Sequence, residues 1–353
     1  MLYQTKNPHG GDIYGEEIRL DFSANTNPFG TPQGVLRAVQ TALPEMHRYP
    51  DPYCRKLTRS ISDYEGIPIE SILCGSGAAE LIYAYCEAVC PKSAVELAPT
   101  FSEYALALRR VGCKVDRYRL RQEHQFALGE DFLDYLAETH PEVVFLCNPN
   151  NPTGQTIAQE LLERILLFCA ERGMRLFMDE CFLDPSDAGE SLKGLLAAHP
   201  QLLILKAFTK SYGMAGIRLG YCLSSDSGLL ERMSQAVQPW NVSNLAQAAG
   251  VAALEERDFL RKTRALIAQE RRWLQTELET LGFLVCPSHT NYLLFQGAHG
   301  LHDKLRKMKI AIRNCDNYHG LGPGWYRVAV RLHEENEELI RAIREVLPWQ
   351  KTL

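Results

Sequence analysis

The chain has no uninterrupted apolar run long enough to span a bilayer, so a membrane-crossing helix is not expected. It also lacks a basic surplus. Its 38 Lys and Arg stand against 43 Asp and Glu, a formal net charge of −5, and nothing favours a nucleic-acid partner. The opening residues, MLYQTKNPHGG, have neither the apolar core nor the small-residue cleavage site of a secretory signal. Internal repeats, low-complexity tracts and runs of like charge are missing. These absences leave a soluble, cytoplasmic protein as the expectation. With 353 residues, 46% of them apolar, the chain can bury a large core and divides into about two domains.

Eleven cysteines occur, but no CxxC pair. Cys74, Cys113, Cys147, Cys181 and Cys222 lie in or beside apolar segments, where a reduced thiol behaves as a small hydrophobe. Cys86 and Cys90 are four apart on an expected helix, without a second pair to complete a metal site. Buried thiols in a reducing compartment are expected, with no disulfide and no metal.

Short apolar runs alternate with helical patterns through the middle of the chain. Strands are expected at 71–74, 94–97, 114–118, 143–147, 175–179, 202–205 and 219–223. Several are apolar throughout, as in strands covered on both faces. The clearest helix is expected over 156–172, with Thr156 and Gln159 as a capping box and Gly173 at its end. This alternation predicts an α/β domain with a mostly parallel seven-stranded sheet. After Trp240 the pattern changes: one long helix over 244–281, ended by Gly282, then shorter elements at 292–295, 310–313, 326–330 and 335–346. The expected division is an N-terminal arm with part of the small domain (1–45), a large domain (46–240) and a small α+β domain (241–353).

Open α/β sheets bind ligands beyond the C-terminal ends of their strands. Four unusual segments follow expected strands there. In CGSGAAE (74–80), the amides of Ser76, Gly77 and Ala78 form either a plain tight turn or a phosphate cradle at a helix N-terminus. In NPNNPTG (148–154), two Asn-Pro steps fix an extended turn that can aim an amide at a ligand. Asp179 ends an apolar strand, where a carboxylate is costly unless it caps a helix or meets a cation. In FTKSYGMAGIRLG (208–220), Lys210 leaves a strand into a glycine-rich turn. A lysine there is either a surface residue or a Schiff-base nucleophile of lowered pKa. Arg218, eight residues on, would need an anion if partly buried. Farther along, Arg313 and Arg331 offer either surface ion pairs or bidentate capture of carboxylate or phosphate.

In their order and spacing, over nearly the whole chain, these segments resemble the fold-type I pyridoxal-phosphate (PLP) enzymes of the aspartate aminotransferase kind. The resemblance implies that Lys210 carries PLP as a Schiff base and that Asp179 pairs with the pyridine nitrogen. It implies that Asn151 bonds the phenolic oxygen and that Phe101, in PTFSEY, stacks on the ring. Arg218, Thr209 and the Ser76–Gly77–Ala78 turn would cradle the cofactor phosphate. Tyr49, in RYPDP, would reach the cofactor of a second subunit, which implies a homodimer with shared sites. Two positions depart from the pattern. Ala207 stands where Ser or Thr is frequent, and Phe182 where aminotransferases have Tyr.

Within that family the chain is similar to two branches that handle phosphorylated substrates, the threonine-phosphate decarboxylases of cobalamin biosynthesis and the histidinol-phosphate aminotransferases. PHGGDI, RLDFSANTNPFG, QPWNVSN, IAIRNCDNY and WYRVAVR, together with Phe182, favour the first. By that resemblance His9, Asn25 and Arg313 would hold a substrate phosphate and Arg331 its carboxylate. An aminotransferase is the alternative, and a PLP-binding regulator without activity a weaker one.

Overall fold

The apolar runs before residue 224 pair into one sheet. The computed structural model describes residues 9–347. In it the strands lie in the order Ile72–Gly75, Gly220–Leu223, Leu202–Ala207, Arg175–Asp179, Val143–Cys147, Ser93–Ala98, Lys114–Arg119. All pairings are parallel except those of Gly220–Leu223, which runs antiparallel to both neighbours. Val144, Leu146, Leu176, Met178 and Ile204 pack into one core, and the intervening Phe145, Cys147, Phe177, Leu203 and Leu205 into another. Both faces are therefore apolar, which is why these strands read as continuous hydrophobic runs.

Register brings the functional segments to one edge. Cys147 lies opposite Asp179, and Asp179 opposite Leu205. The Asn-Pro loop, Asp179 and the turn bearing Lys210 therefore leave adjacent strand ends. A second, antiparallel sheet is ordered Arg313–Asn314, Trp325–Ala329, Tyr292–Gln296, Leu284–Val285. The N-terminal strand Leu20–Asp21 pairs in parallel with Ile310–Ala311. Beyond it, the Phe22 N–H donates to the Ala311 carbonyl, and the Ala329 N–H to the Phe22 carbonyl, each at 2.8 Å. These bonds stitch the N-terminal segment to the second sheet and deliver Ser23, Ala24 and Asn25 to the ligand edge.

Three expected boundaries differ. The helix foreseen over 156–172 runs Gln159–Glu171, and its capping box does not form: Ala158 is the N-cap, and Gln159 donates to Glu163 instead. Gly173 lies just beyond its end at φ +67°. The long helix of 244–281 is two helices, Asn244–Glu255 and Arg257–Thr280, because Glu256 at ψ 48° leaves the helical region. The strand of 310–313 is split between two sheets. Among the described residues no helix is long and apolar enough to cross a membrane. All eleven cysteines are free, and only Cys90 is exposed.

One buried charge cluster braces the strand that leads to Lys210. Lys206 is 4% exposed, and its Nζ lies 3.0 Å from Glu65 Oε1 and 3.3 Å from Asp184. Lys193 and the Tyr221 hydroxyl also donate to Glu65, at 2.7 and 2.5 Å. Burial opposes the charge on Glu65, yet Lys206, Lys193 and Tyr221 hold its carboxyl down to about 2. Breaking a buried pair leaves a charge poorly compensated. Glu65→Ala, with Asp184 left as the neighbour of Lys206, should lower the unfolding free energy by about 3 kcal/mol in a denaturant titration. The carboxyl is depressed, so its contribution is present above the ordinary carboxylate pKa of about 4.3 and is lost as pH falls towards about 2. Over that window the wild type should lose more stability than Glu65→Ala.

Candidate active site

A cavity of about 250 Å³ opens at this edge. It gathers residues from distant parts of the chain. His9 and Asn25 come from the N-terminal segment, and Ala78 and Phe101 from the segments after two strands. Asn151, Asp179, Thr209, Lys210 and Arg218 come from the loops of the central sheet, and Arg313 from the second sheet.

Asp179 is 5% exposed at the end of its strand. Its Oδ2 accepts from the Tyr104 hydroxyl at 2.6 Å and its Oδ1 from the Cys181 N–H at 2.9 Å. Turns, not a helix, follow it, so it caps none. Burial pushes its pKa up, against the hydrogen bonds of Cys181 and Tyr104 and the charge of Lys210. A carboxylate so placed gains from a further cationic donor.

Lys210 sits in the single helical turn Phe208–Ser211 that follows strand Leu202–Ala207. Desolvation, then the charges of Arg327 and Arg218, lower its pKa to about 8. Its amine thus has a substantial neutral fraction near physiological pH, as a nucleophile requires. Nζ lies 5.6 Å from the centroid of the Phe182 ring, which packs edge-on to Tyr292. Ala207 also lines the cavity, without a hydroxyl.

The expected phosphate cradle is only partly available. The Ser76 N–H donates to Glu80 at 2.6 Å and the Gly77 N–H to the Gly75 carbonyl at 2.8 Å. Ala78 lines the cavity; Ser76 and Gly77 do not. Gly77 matters differently. Its φ is +84°, and a Cβ there would lie 2.6 Å from Arg218 Nη2, so glycine lets the guanidinium approach the turn. Arg218 is exposed rather than partly buried, has φ +59°, and donates to the Ala215 carbonyl at 3.1 Å.

The opposite wall holds a residue that the sequence reading passed over. Arg327, 6% exposed, lines the cavity; Arg331 does not. Arg327 donates to Asn151 Oδ1 and, at 3.0 Å, to the Ser23 carbonyl. With its amide oxygen turned towards Arg327, Asn25 accepts from Nε and Nη1 at 3.2 Å each. Arg331 instead pairs with Glu335 at 2.8 Å and reaches the Asp21 carbonyl at 3.3 Å. A sequence signal separated the two. Arg327 interrupts strand Trp325–Ala329, which is buried throughout, and a charge there is costly without partners.

His9 Nε2 lies 2.5 Å from Glu103 Oε1, with its ring centroid 5.6 Å from that of Phe101. Arg313 donates to Asn317 at 2.7 Å and lies 5.3 Å from the ring centroid of Tyr318, another wall residue not foreseen. Tyr49 is outside the cavity, 79% exposed, stacked on Trp240 at 4.6 Å.

PLP fits these residues at three points. The buried, up-shifted Asp179 suits a protonated ring nitrogen. The amine of lowered pKa suits the cofactor aldehyde. The glycine-cleared Arg218, with Ala78 and Thr209, suits a phosphate. Residues 17–343 match the family model "Aminotransferase class I and II". The chain is similar to a threonine-phosphate decarboxylase of Salmonella typhimurium, 35% identical over 96% of each chain. It is similar to a histidinol-phosphate aminotransferase of Desulfitobacterium hafniense, 34% identical over 94% of this chain and 92% of the relative. A histidinol-phosphate aminotransferase structure from Clostridium acetobutylicum superposes with a TM-score of 0.86 at 27% identity, covering 93% of this chain and 98% of that one. A threonine-phosphate decarboxylase structure from Porphyromonas gingivalis gives 0.82 at 21%, a likeness of fold, covering 92% and 98%. With the match spanning nearly all of the chain, the protein belongs to the aminotransferase class I and II family and is a fold-type I enzyme whose cofactor is pyridoxal 5'-phosphate.

Proposed function

We propose that this enzyme decarboxylates L-threonine O-3-phosphate to (R)-1-aminopropan-2-yl phosphate, for cobalamin (cobamide) biosynthesis. The observation that carries the reading is one cavity in which Lys210 and Asp179 share walls with His9, Asn25, Arg313 and Arg327. The similarity to the Salmonella typhimurium decarboxylase supports it.

Phe101, Asn151, Thr209, Arg218 and Ala78 would hold the cofactor, with Asp179 as the partner for its ring nitrogen. When bound, PLP would supply an electron sink for a bond broken at Cα. His9, Asn25 and Arg313 hold the substrate phosphate. Arg327, rather than Arg331, holds the carboxylate, because it is the guanidinium that lines the cavity. With both ends of the substrate fixed, these residues would orient the Cα–carboxylate bond for cleavage, with CO₂ as the leaving group, and Lys210 Nζ would be placed to return a proton to Cα. The second reading, a histidinol-phosphate aminotransferase, rests on the Desulfitobacterium hafniense relative. It gives Arg327 no carboxylate on the phosphorylated substrate itself.

The reading includes a homodimer in the cytoplasm. Met46, Tyr49, Tyr53 and Trp240 are 64, 79, 70 and 46% exposed. The stacking of Tyr49 on Trp240, and the bonds from Asn244 to the carbonyls of Glu45 and Arg48, bring these segments together. Such a grouping of exposed aromatic and apolar side chains supports an interface here. Free thiols suit a reducing compartment. In sedimentation the loaded enzyme should run as a dimer, and Met46→Lys should weaken it. A fully active monomer would count against shared sites.

Mixing the cofactor-free protein with PLP should give visible absorption, and borohydride should then fix the cofactor to the Lys210 peptide. The neutral amine is the reactive form, so capture should quicken as pH rises through about 8. Arg327→Met removes a cation that depresses this pKa and should move the midpoint upward. Labelling of another lysine would refute the assignment.

With L-threonine O-3-phosphate the enzyme should release CO₂ and form aminopropanol phosphate. A keto acid with pyridoxamine phosphate, or glutamate formed from histidinol phosphate and 2-oxoglutarate, would favour the aminotransferase. Arg327→Ala should lower kcat/KM by a factor equivalent to about 2–5 kcal/mol of lost transition-state stabilisation, the cost of stranding a buried charged partner. Arg331→Ala should cost far less.

A further inference from the structure

We propose that Glu103 positions His9 for the phosphate group of the substrate, an inference that rests on the reading above. Glu103 begins helix Glu103–Arg110, and its side chain is 13% exposed. Both carboxylate oxygens are committed. Oε1 meets His9 Nε2 at 2.5 Å, and Oε2 accepts from the Tyr83 hydroxyl at 2.8 Å. The carboxyl cannot turn without losing one of these bonds. The His9 bond holds its pKa below the usual range, against desolvation and with help from Tyr83, so the group is a carboxylate at neutral pH.

An acceptor on Nε2 fixes that nitrogen as the donor and sets the ring's orientation. Phe101 confines the same ring from the side, at 5.6 Å between centroids. Glu103 does not line the cavity whereas His9 does, so it acts through His9 as a positioning residue. The arrangement is economical in chain. Phe101 walls the cavity, Glu103 addresses the substrate end and Tyr104 bonds Asp179 at the cofactor end, all within four residues at one helix start.

The test compares wild type, Glu103→Gln, His9→Gln and the double variant, all loaded with PLP. Binding of L-threonine O-3-phosphate and of L-threonine is followed by calorimetry, and turnover of the phosphorylated substrate is measured. Glu103→Gln should weaken binding of the phosphorylated ligand and raise its KM about tenfold, in line with loss of a charge-assisted contact. The kcat should stay within about twofold, and the visible absorption and L-threonine binding should not change. The double variant should be little worse than His9→Gln alone, because both substitutions remove one interaction. A fall in kcat at unchanged KM, equal loss for both ligands, or additive effects would overturn the positioning role. If wild type prefers the phosphorylated ligand and Glu103→Gln keeps that preference, the proposal fails and the functional reading stands. If wild type binds both ligands alike, the reading itself fails and Glu103 with it.

Discussion

The guanidinium of Arg327 is the point on which the site depends. It rises from a fully buried strand of the second sheet and meets Asn151 of the central sheet and Ser23 of the N-terminal segment, with Asn25 beside it. Three regions far apart in sequence are tied by one side chain. A buried cation is tolerable only when its donors are met, and here backbone and amide oxygens meet them without a carboxylate. Its charge therefore stays available to an anionic ligand. The same charge bears on Lys210 and, after desolvation, is the main cause of that amine's lowered pKa. The residue proposed to hold a substrate carboxylate thus also prepares the nucleophile.

The central sheet supplies the complementary half by register. Asp179 lies level with Cys147 on one side and Leu205 on the other, so the Asn-Pro loop and the Lys210 turn flank it. Tyr104 and Cys181 leave Asp179 with two neutral donors, too few to cancel the cost of burial, and its pKa rises accordingly. That residual cost is what a protonated pyridine nitrogen would relieve. Lys206, four residues before Lys210, meets the opposite solution: Glu65 and Asp184 surround it, and its pKa moves up. Two lysines near one strand end thus differ both in place and in counter-charge: Lys210 lines the cavity, and Lys206 does not.

Much of this was legible in the chain. Continuous apolar runs gave away two-sided burial, and the strands fell within two residues of expectation because helices and strands there differ plainly in period. Lys210, Asp179 and Asn151 stood out since each follows such a run. What could not be read was which partner each group takes, even close by in the chain. The capping box at Thr156 and Gln159 satisfied a local rule, but Gln159 found Glu163. The helix break at Glu256 has no proline or glycine to announce it. The amides of Ser76 and Gly77 looked available until Glu80 and the Gly75 carbonyl took them. Arg327 and Arg331 occupy the same short segment. Arg327 lies inside the buried strand, while Glu335, in the first turn of the following helix, holds Arg331 away from the cavity.

The choice between losing CO₂ and losing a proton is a matter of angle, and on the proposed reading that angle would be set by the walls of the cavity. Lys210 and Asp179 would serve either reaction, because both need an amine near neutrality and a ring nitrogen kept charged. Discrimination must come from how the substrate's remaining groups are held. Arg327 is fixed by Asn151 after the central sheet and by Ser23 of the N-terminal segment, while Arg313 is held by Asn317 and lies near Tyr318. Both sit on the second sheet, in strands that pair at Arg313 and Arg327 themselves. Two guanidiniums on neighbouring strands, at directly opposed positions, would act as a clamp on the proposed reading. A ligand with anionic groups at both ends of a short chain can satisfy both at once, and one with a single anionic end cannot. Phosphothreonine has that form, whereas histidinol phosphate does not. On the proposed reading, a two-point grip would convert binding into orientation of one bond at Cα.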